Sequence, residues 1–227
     1  MNAPLTDPNN QYKRDYFHSR FVHDPRRALV WPEVVRYIQQ RYIAPDARVL
    51  DVGAGYCDFI NHVTARDRHA VDLFERVSDY AAPGVVTHVG SCTNLSEFEA
   101  NRFDVAFASN LLEHLSREDV FTTLSEVKRV LRPGGRLILL QPNFTYCSRT
   151  YFDDFTHLQI FTHNGLRDLL EMAGFPLHEM QPRFLPVNMK STLKYTPPFL
   201  PLIVRTYLRL PYRPMAGQML LVAENRK

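Results

Sequence analysis

Side chains able to do acid–base work gather in Asp153-Asp154-Phe155-Thr156-His157. A carboxylate beside an imidazole orients the ring and raises its basicity. His157 is therefore the first candidate for a general base, with Asp153 and Asp154 as its orienting carboxylates. The same tract also reads as a cap and loop anchor built by Thr156-His157. A second candidate base is His114 in Leu112-Glu113-His114-Leu115. At a helix start the favoured reading is a ring bonded to backbone. Glu113-His114 is a pair with metal-ligating chemistry, but no third ligand stands at matching spacing, and no metal site is expected. Two more carboxylates, Asp51 and Asp72, bracket the turn Gly53-Ala54-Gly55.

These residues need strands and helices to position them. Residues 48–52 form an apolar run with β-branched side chains, closed by glycine, and read as a buried strand. Gly53 and Gly55 give a tight turn where backbone lies against a ligand with no Cβ in the way. Phe59, Ile60 and Val63 carry helical spacing onward. A strand–glycine turn–helix unit offers backbone N–H groups to a nucleotide-like ligand. Residues 69–73 read as the second strand. Asp72 ends it about 20 residues past the turn, where an acidic side chain accepts from ribose hydroxyls. Asp at a strand end is also a common helix cap.

Residues 84–89, 103–110, 136–140, 175–184 and 217–222 supply further strands. Helices are expected over 31–42, with Pro32 in the first turn, over 119–131, stopped by Arg132-Pro133-Gly134-Gly135, and over 164–174. Strands alternating with helices imply a parallel sheet whose ligands sit at the carboxyl ends of its strands. Asp51, Asp72, Ser91, Asn110 and Gln141 then share one rim.

The chain has 227 residues, 45% of them hydrophobic, enough for one sizeable core. A formal charge of +3 makes no general case for nucleic acid, and none is expected as a partner. Cys57, Cys92 and Cys147 form no CxxC pair, so neither a zinc site nor a disulfide framework is indicated. No leader-like apolar segment opens the chain, and a cytoplasmic location is the default expectation. Residues 1–44 read as a polar tail followed by an aromatic, basic helical flap, and residues 45–227 as one domain. Within it, residues 186–214 form a proline-rich, apolar and basic insertion on the acceptor side. Arg205, Arg209 and Arg213 recur there at four-residue spacing. They suit a phosphate- or lipid-bearing acceptor or peripheral contact with an anionic membrane, and equally a cover on the sheet or a dimer interface.

Taken together, Val49 to Tyr56, Asp72, Phe103 to Leu115 and Arg132 to Gly135 resemble the class I S-adenosylmethionine-dependent methyltransferases. The nearest resemblance is to the small-molecule, type 11-like subgroup, over roughly residues 45–180. It implies a Rossmann-like α/β fold with a seven-stranded, mostly parallel sheet. The implied order is 3-2-1-4-5-7-6, with the last strand antiparallel and helices on both faces. It implies S-adenosyl-L-methionine as cofactor. Gly53, Gly55 and neighbouring Tyr56 then adjoin its methionine moiety, and Asp51 lies behind the amino group. Asp72, with Leu73, holds the ribose. Ser91 and Cys92 meet adenine, and the backbone of Asn110 and Leu111 meets the methionine and adenosine. Two departures stand out: Cys57 where relatives often carry a third glycine, and Ser91-Cys92 where an aspartate is common. The implied activity is methyl transfer to a small-molecule or glycan-type, including lipid-linked, acceptor. Oxygen is the expected atom, N-methylation of an amine or peptide the alternative, and a non-catalytic cofactor-binding scaffold the reading of another class. No Asn/Asp-Pro-Pro-Tyr-type motif follows the fourth strand, where Asn110-Leu111-Leu112-Glu113 stands.

Overall fold

The structure is a computed structural model and describes residues 24–186 and 196–227. The expected N-terminal tail, the first part of the flap and residues 187–195 of the insertion lie outside the described residues. Seven strands form one sheet in the order β3-β2-β1-β4-β5-β7-β6. They are β1 (Arg48–Val52), β2 (Asp67–Asp72), β3 (Val85–Val89), β4 (Phe103–Ser109), β5 (Leu131–Pro142), β6 (Leu177–Pro186) and β7 (Ala216–Glu224). The first five pair in parallel, and β7 runs antiparallel to both β5 and β6. The expected sheet order and the antiparallel last strand are both present.

The central strands are apolar on both faces because helices cover both. Along β5, Leu137 and Leu139 face one layer while Ile138 and Leu140 face the other. The first layer packs on Val120, Leu124 and Val127 of α2 (Arg117–Val130) and on Leu166 and Leu170 of α4 (His163–Met172). The second packs on Val34, Val35 and Ile38 of α1 (Arg27–Tyr42) and on Leu208 of α5 (Leu200–Arg209). Each such side chain contributes about 1.5–3 kcal/mol by leaving water. A single turn, α3 (Phe144–Cys147), follows β5.

Three local expectations are corrected. No regular helix follows the glycine turn; residues 55–62 form a run of turns. Cys57 is the cause. It sits at φ 58°, in the left-handed region that glycine enters freely and other residues enter at a cost. Its buried Sγ lies 3.7 Å from the Val77 carbonyl, and burial pushes its thiol up to about 12, which makes it a packing group and not a nucleophile. Packing still fixes these turns, since the Phe59 ring stacks on Phe107 with centroids 3.6 Å apart. Second, α1 begins at Arg27, after a turn in which Asp24 Oδ1 accepts from the Arg26 N–H. Pro32 therefore lies in the second turn of the helix, not the first. Third, Arg132-Pro133-Gly134-Gly135 is looped out within an extended β5. Phe103 pairs with Leu131 and Val105 with Arg136, so four residues bulge between the two pairs.

The proposed basic series is mostly committed internally. Arg205 makes two 2.8 Å bonds to the buried carboxylate of Glu33, tying α5 to α1. Arg213 is buried among Tyr37, Gln181 and the carbonyls of Arg183 and Leu208. No helix among the described residues is long and apolar enough to cross a membrane.

Candidate active site at the carboxyl rim of the sheet

β1 delivers Asp51 and then Gly53 to the rim, beside β2 with Asp72 and β4 with Asn110. The glycines are required by geometry. Gly53 and Gly55 sit at φ +72° and +52°. A Cβ on Gly53 would meet Leu111 Cδ1 at 2.9 Å, so Leu111 is held directly against the turn. Asp72 locks the other side of the loop. Its Oδ2 accepts from the Gly55 N–H at 2.7 Å and its Oδ1 from the Phe74 N–H at 2.8 Å. Each carboxylate oxygen keeps a lone pair for a ligand.

Burial, reinforced by the charge of Asp72, pushes the Asp51 carboxyl well above the usual range. Burial likewise raises Asp72, against the backbone N–H groups that lower it. A cation placed here would relieve both. S-adenosylmethionine carries two positive centres, a sulfonium and an ammonium, so this pair of desolvated carboxyls fits it. Leu73 stands half-exposed next to Asp72, and the Tyr56 ring packs on Tyr80 with centroids 4.6 Å apart. Ser91 Oγ bonds Thr93 Oγ1 at 2.7 Å at the end of β3. Cys92 turns its side chain inward, accepting from Thr123 Oγ1 at 3.4 Å, which leaves backbone as its means of touching a ligand. Asn110, at φ 50°, is fixed by Gln218 Nε2 on its Oδ1 at 2.8 Å. Gln141 at the end of β5 is fully buried, and its amide has no hydrogen-bond partner among the described residues.

The candidate bases form a second cluster beside this rim. His114 donates its backbone N–H to the Leu111 carbonyl at 3.1 Å, which links the cluster to the glycine turn. The carbonyl of Glu113 accepts from the N–H groups of Leu158 and Gln159 at 2.7 and 3.1 Å. That pin draws the segment after β5 back across the end of β4. It sets the rings of His157 and His114 at 4.9 Å, with Tyr151 4.5 Å from His157 on the other side. Asp154 does not go to His157 as expected from their spacing. Its Oδ1 accepts from the N–H of Thr156 at 3.1 Å and from the Thr156 hydroxyl at 2.6 Å. Burial acts against these bonds and loses, so Asp154 titrates below the usual carboxylate value. Asp153 closes a short 3-10 turn, Tyr151–Asp153.

Burial, aided by the charge of His157, lowers His114 to about 4, so its ring is neutral near pH 7. Burial raises Glu113 to about 8. Spacing alone overlooked two participants: Thr156 as the group that orients His114, and His157 as a third donor beside Glu113-His114. A hollow of about 460 Å³ lined by Tyr42, Asp104 and Arg136 lies at the opposite, amino edge of the strands. It contains none of the rim residues, and its position excludes it as the catalytic cleft.

Residues 50–139 match the family model for a methyltransferase domain. Fold and match agree: residues 50–139 are similar to a methyltransferase domain, carried on the seven-stranded sheet expected of the class I S-adenosylmethionine-dependent enzymes. Its fold is similar to that of a Thermotoga maritima protein described as a "possible histamine N-methyltransferase" (19% identity, TM-score 0.64, 96% of each chain covered). It is also similar to 1,6-didemethyltoxoflavin-N1-methyltransferase of Burkholderia thailandensis, with 21% identity and a TM-score of 0.62, covering 100% of this chain and 94% of that one. At these identities the likeness is one of fold. Among curated proteins, the reducing polyketide synthase Preu2 of Preussia isomera is 28% identical over 134 residues, 52% of this chain. The chain spans only 4–6% of the length of the curated relatives it matches.

Proposed function

We propose that the chain methylates an oxygen of a small molecule or of a glycan-type, including lipid-linked, precursor. The carrying observation is a pair of imidazoles, His114 and His157, with ring centroids 4.9 Å apart next to the cofactor rim. S-adenosylmethionine supplies a methyl group on a sulfonium, which is electrophilic enough to need positioning and dryness more than activation. Asp51, Gly53, Gly55, Tyr56, Asp72, Leu73, Ser91, Cys92, Asn110 and Leu111 hold it. A hydroxyl keeps its proton until the transition state, so a base adds most with an oxygen acceptor. His157 takes that proton, and His114, fixed by Thr156, orders the pocket. The exposed Phe199, Leu202 and Ile203 around α5 suit an acceptor with an apolar portion. Arg205 and Arg213 are spent internally, and Arg209 is the exposed member of the series.

The test is a screen with isotopically labelled methyl donor against sugars, lipid-linked glycans, phenols and amines, with the product linkage read by NMR. An O-methyl product, with kcat reduced roughly 10²–10⁴-fold in His157→Ala, supports the reading. A methylated nitrogen moves the assignment to amines. Cofactor binding without turnover on any acceptor favours the scaffold reading.

A further inference from the structure

Glu113 poses the problem that leads furthest. Its carboxyl group is fully buried, and neither oxygen has a hydrogen-bond partner among the described residues. A buried carboxyl left in that state costs several kcal/mol unless something meets it. Two imidazoles face it. One carboxylate oxygen of Glu113 and one ring nitrogen each of His114 and His157 lie within 4.8 Å of one another.

The tautomer of His114 follows from its partners. The Thr156 hydroxyl donates to Asp154 Oδ1 at 2.6 Å, and the Thr156 carbonyl, which can only accept, lies 3.3 Å from His114 Nδ1. Thr156 Oγ1 must then accept from His114, which places a proton on Nδ1, 2.9 Å away. The lone pair of His114 is therefore on Nε2, the atom 3.9 Å from Glu113 Oε1. An imidazole whose far nitrogen is bound to a hydroxyl–carboxylate chain is the outer-shell arrangement that aims histidine at a metal.

We propose that Glu113, His114 and His157 form a divalent transition-metal site of the two-histidine, one-carboxylate kind. Three protein donors leave coordination positions open, as in catalytic and not structural centres. Metal–ligand bonds of about 2.0–2.2 Å ask the three donor atoms to move inward by roughly 1 Å, within the reach of side-chain rotation. The ion supplies the counter-charge that Glu113 lacks. Its open positions take oxygen donors, which narrows the acceptor class to molecules with a hydroxyl or carboxylate able to chelate. That last step rests on the methyl-transfer reading, and with the ion bound His157 is a ligand, so acidification of the coordinated hydroxyl takes the place of proton uptake by the imidazole; binding of the ion rests on neither.

The untagged 227-residue chain is stripped with a chelator and titrated with Zn²⁺, and in parallel with Co²⁺ followed by visible absorption. One ion per chain is expected. Glu113→Gln, His114→Ala and His157→Ala should each weaken it by more than the roughly 10–100-fold typical of losing an outer-shell partner. They should also abolish the Co²⁺ ligand-field bands. His178→Ala, at an exposed histidine outside the cluster, should change neither. No bound ion in the wild type, or equal affinity in the three variants, overturns the site. Thermal melts of the ion-free variants separate a lost ligand from a lost fold; where one variant melts low, the other two decide. Titration with S-adenosylhomocysteine is read separately. Its binding without an ion rejects the metal site alone, and an ion without its binding rejects the methyl-transfer reading alone.

Discussion

Replacing Asp72 by alanine should weaken S-adenosylhomocysteine through loss of its ribose contacts, and the size of the effect can be worked out. Asp72 holds two backbone donors, from Gly55 and Phe74, at 2.7 and 2.8 Å. Leaving buried donors unmet costs about 1–3 kcal/mol each, so Asp72→Ala should also melt lower. Affinity lost through a loosened glycine loop must therefore be separated from affinity lost at the ribose. A cycle with the 2′-deoxy form of the ligand does this. A hydrogen bond to a charged acceptor contributes about 1.5–3 kcal/mol, or roughly 10- to 150-fold in Kd. The deoxy ligand should bind the wild-type chain that much more weakly, and bind Asp72→Ala no more weakly than the complete ligand does. Calorimetric titration at a temperature where both chains are folded gives all four constants. Equal discrimination against the deoxy ligand in both chains would refute the placement of Asp72 at the ribose.

Asp51→Asn tests the electrostatics of the rim. With its folded value raised by burial, the Asp51 carboxyl favours the folded state below the unfolded value of 3.8, and that contribution is lost as pH rises through the folded value. Without ligand, Asp51→Asn should therefore melt above the wild type at pH 7 and lose that advantage below about pH 4, while binding the cationic methyl donor more weakly. An unchanged melting temperature at pH 7 would show that Asp51 carries no desolvation strain. Gly53→Ala should destabilise the chain by about 1–3 kcal/mol, because the new Cβ meets Leu111 in a left-handed backbone. A chemical-denaturation midpoint equal to wild type would mean that Leu111 yields freely.

The sheet order was legible because buried parallel strands are written as apolar runs, and β1, β4 and β5 each read that way. The glycine turn and Asp72 were legible because a left-handed backbone and a strand-end carboxylate leave local marks. Cys57 shows the limit. Its position was flagged by the missing glycine, but its left-handed backbone and the run of turns after it are not stated by the sequence. The commitments of Arg205 and Arg213 were invisible for a different reason. Their partners, Glu33 and Gln181, are distant in the chain, so a regular spacing of charges said nothing about which were already taken.

By itself the sequence determined the fold class, the rim on which a ligand sits and the kind of ligand that rim receives. Those follow from hydrophobic periodicity and backbone geometry, which act over a few residues. Only the tertiary structure decided how the candidate catalytic side chains group. Spacing assigned Asp154 to His157, yet packing gave it to Thr156 and through Thr156 to His114. The carbonyl of Glu113, by accepting two N–H groups from Leu158 and Gln159, brought His157 to a carboxyl from which it is separated by α2, β5 and α3. Such pairings depend on long-range hydrogen bonds and desolvation, and neither is encoded in local spacing.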